Sequence, residues 1–343
     1  MLPVTSPVVS NFLSPQGKSD PIREAGLDTP VRYSFSGHET FPLRYAWLPK
    51  GIQGIQTHPS LFTRDDAMVL LGVGKNMVAS IRFWCETLRL IELTERGRVA
   101  TATPLGEALF SEGGWDPYLE DPGTLWLLHW LLVNRRDRAS TWYLAFTQFQ
   151  EPTFSRNSLT EWLMRRIQQA PLVRATIASV RRDVEVFIRT YTPAHATRDL
   201  PLEDTFDCPL VELGIIRESE RGVYEFVRGP KPGLPQPIFV YALLEYWGQT
   251  APLQRTLSFE SILYGGGSPG AAFKLSENAL SAYLEELPRW CALTYDETAG
   301  RRLVLRPSHG ASNDSSQDLS SFAILTRYYR QATDAGQLQE FTV

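Results

Sequence analysis

The sequence predicts a mainly α-helical protein with small β-hairpins, built as two winged-helix-like units joined by a helical, arginine-rich layer. Three observations predict it. A helix, a glycine turn, a second helix and a hairpin follow one another between residues 63 and 110. The same order returns between residues 257 and 306. Between the two lie strongly apolar and amphipathic helical patterns in which arginine is the dominant charge.

The first unit rests on "TRDDAMVLLGVGKNMVASIRFWCETLRLIELTERGRVATATPLGEALF". A short apolar helix over 65–71 ends in the turn Gly72-Val73-Gly74. A second helix over 75–90 places Met77, Ile81, Trp84, Cys85 and Leu88 at helical spacing. "IELTERGRVATATP" alternates around Glu95-Arg96-Gly97 and reads as a hairpin. The core face of the second helix leaves Lys75, Ala79, Arg82, Glu86 and Arg89 on the other side, and Asn76 beside Lys75. A small residue between two cations suits a helix lying in a DNA major groove, with Arg82 and Arg89 reaching bases or phosphates. The same face would equally serve as the solvated side of a packing module.

In the middle, "YLEDPGTLWLLHWLLVNRRDR" predicts an apolar helix over 124–133, with acids at its start and arginines at its end, as the helix dipole favours. The run "PLVRATIASVRRDVEVFIRTY" is amphipathic, with Ile177, Val180, Val184, Phe187 and Ile188 facing inward. Residues 156–198 carry eight arginines against three acids and no lysine. Arg165, Arg166, Arg174, Arg181, Arg182 and Arg189 therefore predict a phosphate-contacting track, because the guanidinium fork suits bidentate phosphate contact.

After the proline-rich "VRGPKPGLPQP", the apolar "IFVYALLEYW" reads as a helix. A short helix, a glycine-rich loop, a helix capped by Ser276 and a hairpin turning at Thr298-Ala299-Gly300 follow. Arg301 and Arg302 stand just past that turn, where a wing would reach phosphates. The expected organisation is thus an arm over 1–32, a first winged-helix-like domain over 33–111, a helical arginine-rich region over 112–200, a second winged-helix-like domain over 201–306, and a polar linker with a last helix over 307–343.

Composition bounds the function. The net charge is −4, so any nucleic-acid role rests on local basic patches. Cys85, Cys208 and Cys291 are far apart, which speaks against zinc ribbons and disulfide frameworks. No apolar run is long enough to span a bilayer, and the N-terminal stretch lacks the pattern of a secretory signal, so a cytoplasmic protein without membrane attachment is expected. "GVGKN" lacks the spacing and the Ser or Thr of a phosphate loop, and Gly265, Gly267 and Gly270 match a dinucleotide fingerprint without its strand–helix context. Asp116, Glu120, Asp121 and His129 are scattered metal-ligand types, and helix capping is the plainer use of the three acids.

One stretch concentrates reactive and aromatic side chains where no element is predicted: "SFSGHETFPLRYAWLPKG", residues 34–51. Arg44 and Lys50 have the chemistry to hold phosphate oxygens. His38 has that of a general acid or base, and Glu39 that of its orienting partner or a metal ligand. His38, Glu39 and Arg44 are therefore the catalytic candidates. A structural brace tying the segment to the core is the other reading.

"SGHETFPLRYAWLPKG" together with "YLEDPGTLWLLHWLL" resembles the paired signature of a bacterial family long labelled a domain of unknown function, which includes the SspB proteins of single-strand DNA phosphorothioation systems. The resemblance covers about residues 33 to 306. It implies a DNA-binding, DNA-nicking protein of an anti-phage defence system, working beside a cysteine desulfurase, an ATPase and a sulfur-transfer enzyme. A nickase would imply a divalent metal ion. A non-catalytic DNA-binding adaptor, or a transcriptional regulator, is the alternative.

Overall fold

The quoted segment turns helical earlier than its composition suggests. In the computed structural model, which describes residues 33–168, 175–193, 208–298, 300–307 and 320–340, an irregular stretch from Tyr33 to Ala46 leads into α1 (Trp47–Thr57). Trp47, Leu48, Ile52 and Ile55 bury one face of that helix, a spacing that shows only when the chain is read past residue 51. Then come α2 (Ala67–Leu71), ended by Gly72 at φ +64°, and α3 (Lys75–Thr87). β1 (Ile91–Thr94) and β2 (Val99–Ala102) pair antiparallel, and α4 (Pro104–Phe110) is capped by the Thr103 side chain. Ile81, Trp84, Cys85 and Leu88 are fully buried, as the spacing predicts.

α5 (Pro122–Val133) and α6 (Ser140–Thr147) are buried along nearly their whole length. They form the centre against which the later elements pack.

The stretch expected to be a helical layer is more than that. β3 (Thr153–Ser155) opens directly into α7 (Arg156–Gln168), followed by α8 (Ile177–Tyr191) and a hairpin of β4 (Ile216–Glu220) and β5 (Val223–Phe226). β3 pairs with β5, giving the sheet order β3–β5–β4, so one sheet spans the boundary expected near residue 200. A three-residue strand whose partner lies some seventy positions on leaves no periodic signal. Ile177 also departs from expectation. It is the first residue of α8, where the helix starts in solvent, and it is half exposed.

The last third repeats this arrangement. α9 (Gln236–Thr250) precedes β6 (Thr256–Ser258), α10 (Phe259–Tyr264), the short α11 (Pro269–Ala272), α12 (Glu277–Glu285), β7 (Thr294–Thr298) and β8 (Arg301–Leu305). The sheet order is β6–β8–β7, the topology of the preceding sheet. Ser276 caps α12 by accepting from Ala279 N, as expected. α13 (Ser321–Glu340) packs on α9 and reaches α5, where Thr124 Oγ1 and Tyr329 Oη lie 2.8 Å apart. No described helix is long and apolar enough to cross a membrane.

Candidate nucleic-acid interface

An open cleft of about 1000 Å³ lies along the exposed side of α3. Lys75, Asn76, Ala79 and Arg82 line it together with Glu86, the tip glycine Gly97 of the β1–β2 hairpin, and Gly37 and Glu39 of the irregular segment. The buried face of α3 turns these residues outward. Its charges are partly neutralised: Arg138 pairs with Glu86 on the wall, and Arg64, also on the wall, donates to Asp66 at 2.7 Å. Lys75 and Arg82 have no such ion pair among the described residues. They are the cations the cleft offers to an anionic ligand, beside the carboxylates of Glu39 and Asp65. Arg89 is placed differently. It sits at φ +57° past the end of α3, 3.7 Å from Glu245 of α9, and does not line the cleft.

The three catalytic candidates are not brought together. The His38 ring is fully buried; Nε2 donates to Asp183 Oδ1 at 2.8 Å and Nδ1 accepts from Thr40 N at 3.2 Å. It packs edge-on to Phe83 and Trp142, each with ring centroids 5.8 Å away. Glu39 is exposed in the cleft. Arg44 lies over the rings of Phe41 and Trp47, 5.7 and 5.3 Å from their centroids, away from the cleft lining. Lys50 Nζ donates to Leu71 O at 3.1 Å, satisfying a carbonyl at the end of α2.

The rest of the segment behaves as its two placed ends suggest. Ser34 N donates to Ser140 Oγ at 2.7 Å, and Ser36 N to Asp183 Oδ1 at 2.6 Å. Ser36 Oγ reaches Ser179 O, Ser80 Oγ donates to His38 O, and Trp84 Nε1 donates to Phe41 O. Residues 34–41 thereby tie α3, α6 and α8 together. Gly37 is required: a Cβ there would stand 2.6 Å from the Phe83 ring. Ser36, Glu39 and Thr40 hold left-handed backbone at φ +67°, +49° and +69°, a strained geometry that persists where surrounding contacts over-determine it. Sequence reading missed Asp183, buried on the inward face of α8. An acid at an apolar helical position was its one signal.

The arginines separate by environment. Arg181 and Arg182 are exposed on α8, and Arg165 is exposed on α7. Arg166 Nε donates to Gln148 Oε1 at 2.8 Å, and Arg189 is half-buried. Arg174 lies outside the described residues. In the last unit Arg301 is exposed, whereas Arg302 bonds to Glu277 at 3.3 Å, lies 3.6 Å from Glu260 and covers the Phe259 ring at 3.7 Å. Arg302 is thus an internal tie of its unit.

Asp116 spends its carboxylate on backbone, and Asp121 on backbone and on the Tyr328 hydroxyl, which donates to its Oδ1 at 2.7 Å. Asp116 accepts from Glu120 N and Asp121 N, and Asp121 accepts from Gly123 N at the start of α5. His129 is buried; its Nε2 donates to Ala272 O at 2.9 Å and its Nδ1 lies 2.8 Å from Tyr191 Oη. Burial lowers its pKa to about 4. Nearby Lys274, at φ +53°, is buried with Nζ donating to Phe146 O and lying over the Phe226 ring, and burial drives its pKa well down. Among the described residues, no three His, Cys, Asp or Glu side chains gather as a metal-holding group.

Residues 35–329 match the model of DUF4007, a protein family of unknown function, and the chain belongs to that family. Among solved structures, it is similar to a magnesium-ion-bound SspB crystal structure, with 33% identity and a TM-score of 0.76 over 88% of this chain and 89% of that one. A second SspB crystal structure aligns at 32% identity with the same coverage and TM-score. No curated protein matches the chain.

Proposed function

We propose that this protein is a DNA-binding component of a DNA phosphorothioation system, engaging duplex DNA through α3 and the β1–β2 hairpin used as a winged helix. The likeness to SspB over nearly the whole chain supports the system. The observation that carries the binding is the single cleft onto which Lys75, Asn76, Ala79 and Arg82 all open. Lys75 and Arg82 would take phosphate or guanine acceptors, and Ala79 leaves room for backbone approach to the groove. Desulfurase, ATPase and sulfur-transfer partners would complete the system in the same compartment.

Of the two roles considered, recruitment of modification enzymes fits this chain better than strand cutting by His38. Both ring nitrogens of His38 are engaged inside the core, and Arg44 and Glu39 face elsewhere. Among the described residues no three acid, His or Cys side chains gather as a metal-holding group; Glu39 and Asp65, which both line the cleft, are the carboxylates nearest a bound phosphate. Supercoiled plasmid incubated with the protein and Mg²⁺ or Mn²⁺ separates the roles. Binding without open circles supports recruitment; open circles that vanish in His38→Ala, with folding kept, would return His38 to catalysis.

A further inference from the structure

The unit that carries the cleft has a counterpart in the middle of the chain. α6, α7, α8 and the β4–β5 hairpin follow in the order of α1, α2, α3 and the β1–β2 hairpin. The two hairpin tips share a sequence: Thr94-Glu95-Arg96-Gly97 in one and Ser219-Glu220-Arg221-Gly222 in the other. Gly97 and Gly222 both have left-handed backbone, at φ +86° and +77°. Each tip therefore presents an arginine just before a glycine that only a turn requires.

The helices correspond as well. Counted from the first helical residue, α3 exposes positions one, two and five as Lys75, Asn76 and Ala79. α8 exposes the same positions as Ile177, Ala178 and Arg181, and it also exposes Arg182 at position six, where α3 buries Ser80. No described carboxylate pairs with Arg181, Arg182 or Arg221. The last unit shows that the fold alone does not dictate this charge: the same positions of α12 are Glu277, Asn278 and Ser281, none of them a cation, and Glu277 is held by Arg302.

We infer that α8 and the β4–β5 turn form a second DNA-contacting face, which takes backbone phosphates of the same duplex that enters the cleft on α3. Arg181, Arg182 and Arg221 hold those phosphates. This rests on the proposed binding through α3. The loop between the faces is already fixed. Ser36 and His38 are bonded to Ser179 and Asp183 of α8, while their neighbours Gly37 and Glu39 line the cleft. Ordering the two faces relative to each other therefore costs less on binding, the advantage of a preorganised site.

The test measures duplex affinity against salt for the full-length protein, with duplexes of about 10 and 30 base pairs, or about one and three helical turns. The variants are Arg181→Ala/Arg182→Ala, Arg82→Ala, and a charge-matched control, Arg289→Ala/Arg330→Ala, whose side chains are exposed elsewhere. On the longer duplex Arg181→Ala/Arg182→Ala should lower the log–log salt slope by about 2, roughly 0.9 for each phosphate that is no longer neutralised. The control should keep the slope. A wild-type slope in Arg181→Ala/Arg182→Ala, with Arg82→Ala weakened, overturns the second face and leaves the first standing. An equal loss in the control also overturns it, because bulk charge then explains the effect. Undiminished binding in Arg82→Ala would instead remove the binding mode on which both faces depend.

Discussion

Replacing His38 by alanine tests whether the SGHETFP segment is a brace. Asp183 Oδ1 accepts from His38 Nε2 and from Ser36 N, while Oδ2 is buried with no hydrogen-bond partner. Both side chains are almost wholly buried, at 1% and 2% exposure. Removing the imidazole leaves a buried carboxylate with a single backbone donor. Leaving a buried acceptor short of its donor costs about 1–3 kcal/mol, and more where it is charged, and the space left between Phe83 and Trp142 adds a cavity. Native stability is commonly about 5–15 kcal/mol, so a large share of it is at stake. His38→Ala should lower the melting temperature by on the order of 10 °C.

Urea denaturation of His38→Ala, Asp183→Ala and the double variant supplies the decisive comparison. Each single variant strands a partner, whereas the double variant strands neither. The double should therefore be less destabilised than the sum of the singles by about 0.5–3 kcal/mol. Additive losses, or a His38→Ala protein as stable as wild type, would refute the brace.

Trp84→Ala removes a fully buried ring whose Nε1 donates to Phe41 O, and should cost about 3–5 kcal/mol by denaturation. Arg82→Ala, on the same helix but lining the cleft, should weaken duplex binding by anisotropy with little change in melting temperature. Gly37→Ala forces a methyl against Phe83 and should cost about 1–3 kcal/mol, relieved in part by adding Phe83→Leu. His129 is neutral in the fold and titrates near pH 4 there, against about 6.5 when unfolded. The unfolded chain binds the extra proton first as pH falls, so stability drops from about pH 6.5 down to about 4 and levels off below, by about 3 kcal/mol in total. His129→Gln should flatten that acid limb in melts across pH; an unchanged limb would place the loss elsewhere.

What the sequence made legible follows from range. The α3 register, the β1–β2 turn and the Ser276 cap depend on neighbours within a few residues, and periodicity or capping chemistry reports them directly. The role of His38 depends on Asp183, nearly 150 positions away, and no local pattern encodes that meeting. Arginine counting had the same limit. It grouped Arg166, which donates to Gln148, with Arg181 and Arg182, which face solvent. It ranked Arg302 with Arg301, though two glutamates and Phe259 hold Arg302 in place. The middle unit went unread because β3 is three residues long, although the Glu-Arg-Gly tips at 95–97 and 220–222 stood in plain view.

Charge ties these points to binding. A chain with a net charge of −4 gains little from long-range attraction to DNA, since at physiological salt fields fade beyond about 8 Å. Contact must come from local faces, and Lys75 with Arg82 would neutralise only a few phosphates, giving a shallow salt dependence. Adding Arg181, Arg182 and Arg221 on a face rigidly joined through Ser36, His38 and Asp183 raises the phosphate count without raising the protein's net charge. In the last unit the matching helix offers no such cation, and Arg302 is taken up by Glu260 and Glu277. On this reasoning the buried histidine supports DNA binding at a distance, by holding two cationic helices in one arrangement. A folded Asp183→Asn protein should then bind short duplexes normally and long ones less tightly, and equal weakening on both lengths would show that the coupling is absent.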